Sequence, residues 1–178
     1  MSLLVCFSGQ IGSGKSSVSI AVAQALGWKR TGFGNYLRVE IERAGGDPTS
    51  RQALQDLGQR CVASDPEGFC RAVLALGGFM PGDDFVIDGI RHIEIFRNLA
   101  RLALPSTSRL LFLDAIEASR AARVGSRRDH ADFQRAKAHD VEAELVKELP
   151  MHADAVVDAN QPFQAVVSKC LAAIEAWR

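Results

Sequence analysis

The stretch GQIGSGKSS, residues 9–17, sets three glycines, a lysine and three serines between the apolar run LLVCFS and the helix-like VSIAVAQALG. Gly9, Gly14, Lys15 and Ser16 stand at the spacing G-x-x-x-x-G-K-[ST]. Residues without a Cβ let the backbone turn its N–H groups inward, and Gln10, Ile11, Gly12 and Ser13 supply the rest of that turn. The N-terminus of the following helix adds partial positive charge at the same place. In such a loop Lys15 reaches the β- and γ-phosphates, the Ser16 hydroxyl ligates Mg2+, and Ser17 offers a further hydroxyl toward the α-phosphate. The spacing predicts a bound nucleoside triphosphate. The bland alternative is a glycine-rich turn that binds nothing.

Arginines form the second chemical signal. Arg120, Arg123 and Arg127 recur at three and four residues, which puts them on one helical face. Glu117 can pair with Arg120, but Arg123 and Arg127 lack an acid at the right spacing. Like charges so placed cost about 0.2–0.5 kcal/mol per pair, and an anion between them removes that cost. The alternative is a solvated basic face, or ion pairs with the acids of HDVEAELVKEL, residues 139–149. Asp88 closes the apolar run FVID, and in open α/β sheets ligands bind beyond the carboxyl ends of strands. It could instead cap the next turn. On the residues alone, Arg38 reads as an exposed arginine on an amphipathic helix. The histidines, His92, His130, His139 and His152, show neither triad nor metal spacing. Trp28 and Trp177 read as packing residues.

These side chains need a frame. Near-continuous apolar runs at Leu3–Ser8, Phe85–Asp88, Leu110–Asp114 and Ala155–Asp158, with a weaker one near Trp28–Thr31, suit a parallel sheet covered on both faces. Helical patterns cover 15–26, 35–44, 49–62, 66–76, 93–102, 117–126, 131–149 and 162–177. Thr49 and Gln52 have capping-box spacing, and Asp65-Pro66 places a capping carboxylate before a proline at the first helical position. The alternation predicts an α/β fold of three layers with right-handed crossovers around a mostly parallel five-stranded sheet. Three helices occupy 35–76, where one crossover would suffice, so residues 34–78 are expected to form a small helical lobe within a single domain, 1–178. A short lid is expected over 123–140.

The chain has 178 residues, 47% of them hydrophobic and 24% charged, with a net charge of zero and a pI near 6.9. That balance gives no global attraction to nucleic acid or to an anionic membrane, so any basic site is local. The four cysteines, Cys6, Cys61, Cys70 and Cys170, show no CxxC or metal spacing and read as buried thiols of a reducing compartment. No leader pattern opens the chain and no apolar run reaches about 18 residues, so the cytoplasm is the expected location. Monomer and homodimer stay open.

The phosphate loop, together with TGFGNYLR (31–38), VIDGIR (86–91) and RVGSRR (123–128), resembles the nucleoside monophosphate kinase family, the adenylate and cytidylate kinases, over nearly the full length. TGFGNYLR is similar to a T/S-G-D-x-x-R acceptor segment, VIDGIR to D-G-[FY]-P-R, and RVGSRR to the arginine-rich start of the lid. GQIGSGKS is also close to the loop of dephospho-coenzyme A kinases. The resemblance implies a P-loop NTPase fold that uses ATP and Mg2+. It also implies that Arg38 and Arg91, with Gly34 and Asn35, grip the acceptor's phosphate, and that Asp88 holds Mg2+ or its waters. Arg123 and Arg127 would close over the transferring phosphoryl group. Two departures stand out: Asn35 replaces the family's acid, and Ile90 precedes Arg91 without a proline.

The acceptor is either a phosphate or an alcohol. An alcohol must lose its proton to a carboxylate, whereas a phosphate is already ionised near neutral pH. An amide at position 35 cannot take a proton, which favours a nucleoside monophosphate or similar phosphorylated acceptor. Two alternatives remain: a small-metabolite alcohol kinase, with Asp47, Asp65 or Asp88 as base, and a non-catalytic ATP-binding regulatory protein.

Overall fold

The computed structural model describes residues 2–125, 145 and 147–178. Five strands, β1 (Leu3–Gly9), β2 (Lys29–Gly32), β3 (Phe85–Ile90), β4 (Thr107–Asp114) and β5 (Ala155–Asp158), form one parallel sheet in the order β2-β3-β1-β4-β5. The described helices are α1 (Lys15–Leu26), α2 (Phe33–Arg43), α3 (Arg51–Ser64), α4 (Pro66–Leu76), α5 (Ile93–Leu102), α6 (Glu117–Gly125), α7 (Leu149–His152) and α8 (Phe163–Ala176).

Two-residue periodicity in the central strands creates the three layers. Leu3, Val5 and Phe7 of β1 and Leu111 and Leu113 of β4 face Val18, Val22, Val166, Cys170 and Ile174 of α1 and α8. Leu4, Cys6, Leu110 and Phe112 point the other way, onto Phe33, Leu37, Phe69, Val73, Ile95 and Leu99 of α2, α4 and α5. All seven residues of β1 are buried. Each buried Leu, Val or Phe contributes about 1.5–3 kcal/mol, so this strand is the rigid floor on which the loop is mounted.

Local signals set the helix ends. Gly27 closes α1 in the left-handed region, and the Trp28 N–H bonds back to the Ala23 carbonyl at 2.9 Å. Asp65 caps α4 by accepting from the Gly68 N–H at 2.8 Å, with Pro66 in the first turn, as the sequence predicts. The cap of α3 is a correction. Ser50, not Thr49, accepts from the Ala53 N–H, while Thr49 donates to Asp47 from both its amide and its hydroxyl. An Asx turn at Asp47 takes Thr49 out of the capping position. Two strands also run longer than their apolar cores. β4 begins at Thr107, and β3 continues to Ile90, where the register to β1 shifts between Phe7 and Ser8. Gly89, at φ +92°, absorbs that bulge. The helix expected over 131–149, much of the lid over 123–140 and Arg127 lie largely or wholly outside the described residues.

All four cysteines are thiols; three are buried and Cys61 is only half-buried, which corrects the expectation for that residue. No described helix is long and apolar enough to cross a membrane.

Candidate active site

The loop leaves β1 at Gly9 and enters α1 at Lys15. Gly9, Gly12 and Gly14 have φ of +148°, +82° and +87°, conformations that side chains disfavour. A Cβ on Gly12 would stand 2.7 Å from the Arg120 carbonyl, and one on Gly9 would stand 2.7 Å from the Leu113 carbonyl. The loop is therefore pressed between β1, the end of β4 and α6. Gly14 gives α1 no side-chain cap, and the first turn of α1 contains no acid. Its N-terminal amides and positive dipole end are thus open to an anion. The Ser13 N–H bonds to the Gln10 carbonyl at 3.1 Å, and Lys15 curls back so that its Nζ lies 3.4 Å from that same carbonyl.

A cavity of about 550 Å3 lies against this turn. It is lined by residues 12–18 of the loop and α1, by Arg51, Arg123 and Val124, and by Ala159, Gln161, Pro162, Phe163 and Val166 from the β5–α8 turn. Its size lies within the range of small-ligand sites. Asp158 orders the far wall. Its carboxylate accepts from the amide and side chain of Asn160 and from the Gln161 side chain, and these bonds hold its pKa below the ordinary carboxylate value.

Arg120 and Arg123 separate in the structure. Arg120 is buried, and its guanidinium donates to the carbonyls of Ala115 at 3.2 Å and Ile11 at 3.4 Å. Arg123 lines the cavity, donating to the Ser13 carbonyl at 3.2 Å and the Ala159 carbonyl at 2.6 Å. Arg120 braces the loop from behind, while Arg123 spans it and the β5–α8 turn.

At the other side of β1, Asp88 sits buried near the end of β3, in register with Gly32 of β2. Gly32 has no side chain, and the Asp88 carboxylate occupies the space that one would fill. Arg30 donates to Asp88 Oδ2 at 2.9 Å and, through Nε, to Ser19 Oγ at 2.9 Å; Ser19 in turn bonds to the Ser16 carbonyl at 3.0 Å. The edge strand, β3 and the first turns of α1 are thereby tied together behind the loop. Ser8 Oγ donates to the Ile90 carbonyl at 2.7 Å, fixing the bulge from which Arg91 emerges. Asn35 and Arg38 are exposed on α2, and Arg38 turns back toward Gly34.

The residues fit a triphosphate. The glycine conformations, the uncapped start of α1 and the cavity all suit one, and the buried Ser13 hydroxyl has no partner among the described residues. Mg2+ takes oxygen donors and keeps several waters while sharing phosphates, so the Ser16 hydroxyl and the Asp88 carboxylate are the groups suited to it. Among the described residues no three His, Cys, Asp or Glu side chains gather as a metal cage.

Sequence reasoning missed Arg30 and Arg51. Arg30 acquires meaning only from strand order, which makes β2 the neighbour of β3. Arg51 belongs to no motif. The loop at 158–162 left only a faint trace, the Asp-x-Asn-Gln run whose side chains make its turn.

A glycine-rich loop of G-x-x-x-x-G-K-[ST] spacing thus leaves the central strand of a five-stranded parallel sheet that helices cover on both faces, an α/β P-loop fold. Among solved structures, the chain is similar to a gluconokinase from Sinorhizobium meliloti, at TM-score 0.63 and 20% identity, covering 99% of this chain and 92% of that one. It is also similar to a shikimate kinase from Aquifex aeolicus, at TM-score 0.58 and 16% identity, covering 97% and 96%. A sugar kinase from Janibacter sp. aligns at TM-score 0.52 and 16% identity, covering 98% and 95%. At such identities the likeness is one of fold. In sequence, a protein of Aeropyrum pernix described as a UPF0200 protein is 34% identical over 106 residues, 56% of this chain and 52% of that protein. The chain thus spans about half the length of the curated relative it matches. No family model matches the chain.

Proposed function

We propose that this protein is a small-molecule kinase that passes the γ-phosphoryl group of ATP, in the presence of Mg2+, to a small anionic acceptor, foremost a nucleoside monophosphate or similar phosphate ester. One observation carries the reading: an uncapped helix start and three positive-φ glycines shape an anion cradle that opens into a cavity of about 550 Å3 bordered by Lys15, Arg51 and Arg123. The kinase folds to which the chain is similar support it.

In this reading the loop amides and Lys15 hold the β- and γ-phosphates, Ser17 lies toward the α-phosphate, and the 159–163 turn bounds the rest of the nucleotide. Ser16 and Asp88 hold Mg2+, which neutralises phosphate charge when bound. An acceptor oxygen forms a bond to the γ-phosphorus as the bond to the bridging oxygen breaks, and ADP departs with the electron pair. Such a transition state spreads charge over three oxygens, so catalysis is mostly positioning and cationic stabilisation. Arg38 and Arg91, with Gly34 and Asn35, form the acceptor's grip in the 34–78 lobe; Arg123 and Arg127 serve the transferring group.

A second reading, an alcohol kinase, rests on Asp88, a buried carboxylate at the acceptor side of the loop. Arg30 already engages Oδ2 of that carboxylate, which favours the phosphate acceptor. The test is acceptor-dependent ADP release over a panel of ribo- and deoxynucleoside monophosphates, with sugar acids and other small alcohols alongside. Turnover with a monophosphate supports the first reading and turnover with an alcohol the second. No acceptor-dependent turnover rejects both.

A further inference from the structure

The turn between β5 and α8 is fastened on several sides. The Ala159 N–H donates to the Asp114 carbonyl at 2.7 Å, and the Ala159 carbonyl accepts from Arg123 at 2.6 Å. Asn160 uses both ends of its amide: Oδ1 accepts from the Ile116 N–H at 3.0 Å, and Nδ2 donates to Asp158 Oδ1 at 2.7 Å. Gln161 donates through Nε2 to Asp158 Oδ2 at 3.0 Å. Gln161, Pro162, Phe163 and Val166 then line the cavity beside the loop.

A side-chain amide can turn either end toward a neighbour, so its polarity is set by that neighbour's chemistry. An ionised carboxylate only accepts, and the bonds from Gln161 and Asn160 hold the Asp158 pKa below the ordinary value, which keeps it ionised. The NH2 of Gln161 is therefore turned to Asp158, and its outer end is Oε1, an acceptor. Pro162, Phe163 and Val166 supply apolar lining beside it, and Phe163 is 45% exposed although large and apolar. Apolar walls with a few oriented polar groups are how a pocket holds a flat ring and tells it from its analogues.

We propose that Gln161 Oε1 reads the base of the bound nucleotide by accepting a hydrogen bond from an exocyclic amino group, with Asp158 as the positioning residue that fixes this polarity. The inference rests on the triphosphate reading of the loop and extends it to the base. Adenine carries an amino donor on C6. Hypoxanthine carries a carbonyl there, which in the same pose sets one acceptor against another. Such a mismatch leaves a polar group unpaired on each side, so the site rejects the wrong base as well as attracting the right one.

The test is titration calorimetry with Mg2+, comparing ATP with inosine triphosphate, which has the same sugar and phosphates. The wild type should bind ATP about tenfold more tightly. Gln161→Met, which keeps the side chain's length without its amide, should bring the two within about twofold. Asp158→Asn should also narrow the preference, because an amide at 158 donates as well as accepts and lets Gln161 turn its NH2 outward. That gain should fall on inosine triphosphate, whereas a merely structural role would weaken both nucleotides alike. Equal affinities in the wild type, or a preference that survives Gln161→Met, overturns the inference while leaving the loop reading intact. An unchanged preference in Asp158→Asn overturns the positioning role. Wild-type protein that binds neither nucleotide overturns the loop reading, and this inference with it.

Discussion

Arg30 and Asp88 form an ion pair at 2.9 Å that joins edge strand β2 to β3, and the same guanidinium reaches Ser19 on α1. With side chains only 19% and 8% exposed, the pair lies inside the fold, where loss of one partner leaves the other charge uncompensated. Arg30→Ala should therefore cost about 3 kcal/mol in urea unfolding. Arg30→Met with Asp88→Asn together should recover part of that loss. A single-mutant loss below about 1 kcal/mol, as at a surface pair, contradicts the assignment.

Gly12→Ala tests the loop's shape rather than its charge. The new methyl meets the Arg120 carbonyl at 2.7 Å in a backbone conformation that alanine disfavours. We expect a loss of about 1–3 kcal/mol, together with weakened ATP binding. Gly27→Ala, where φ is also positive but no atom lies within 4 Å, is the control: it should cost stability and spare nucleotide affinity.

The two described arginines of α6 should part company on mutation. Arg120→Ala removes donors from the Ala115 and Ile11 carbonyls in a buried site and should lower stability by about 2 kcal/mol. Arg123→Ala should change stability by under about 1 kcal/mol, because the side chain is half-exposed, yet reduce turnover. Equal stability losses in the two variants would show that Arg123 is a brace as well.

The thiols make a pH prediction. Burial pushes Cys170 up to about 12, and burial with the nearby Glu67 carboxylate pushes Cys70 up to about 12; burial also raises Cys6 well above its ordinary value. A thiol in the unfolded chain ionises near 8.5, so the stability from keeping these groups neutral is complete below about pH 8.5 and falls as pH rises toward 12. Denaturation midpoints should decline through that window. At pH 8 a disulfide reagent should label the half-buried Cys61 first and the other three only on unfolding; rapid labelling of all four in the native protein contradicts this.

Much of this architecture is legible in the sequence because its signals are local. β1 is a continuous apolar run, Gly14 and Gly27 delimit α1, and Asp65-Pro66 starts α4, so those elements fall where the residues put them. Legibility ends where neighbouring residues compete for one role or where partners are distant in sequence. Ser50 displaces Thr49 as the cap because Asp47 captures Thr49 first. β3 outruns its apolar core because pairing to β1 carries it through Gly89 to Ile90. The same holds at the site: the loop spells itself out in residues 9–17, but the Arg30–Asp88 pair and the approach of Arg51 depend on strand order and on the lobe's docking.

The phosphate grip itself is tested most directly by calorimetric titration of ATP with Mg2+ into the wild-type protein and into Lys15→Ala, with circular dichroism on both. The account predicts saturable, one-site binding by the wild type, and binding weakened at least about a hundredfold in a variant that keeps its fold. A wild-type protein that takes up no ATP, or a Lys15→Ala variant that binds it equally well, would contradict the account.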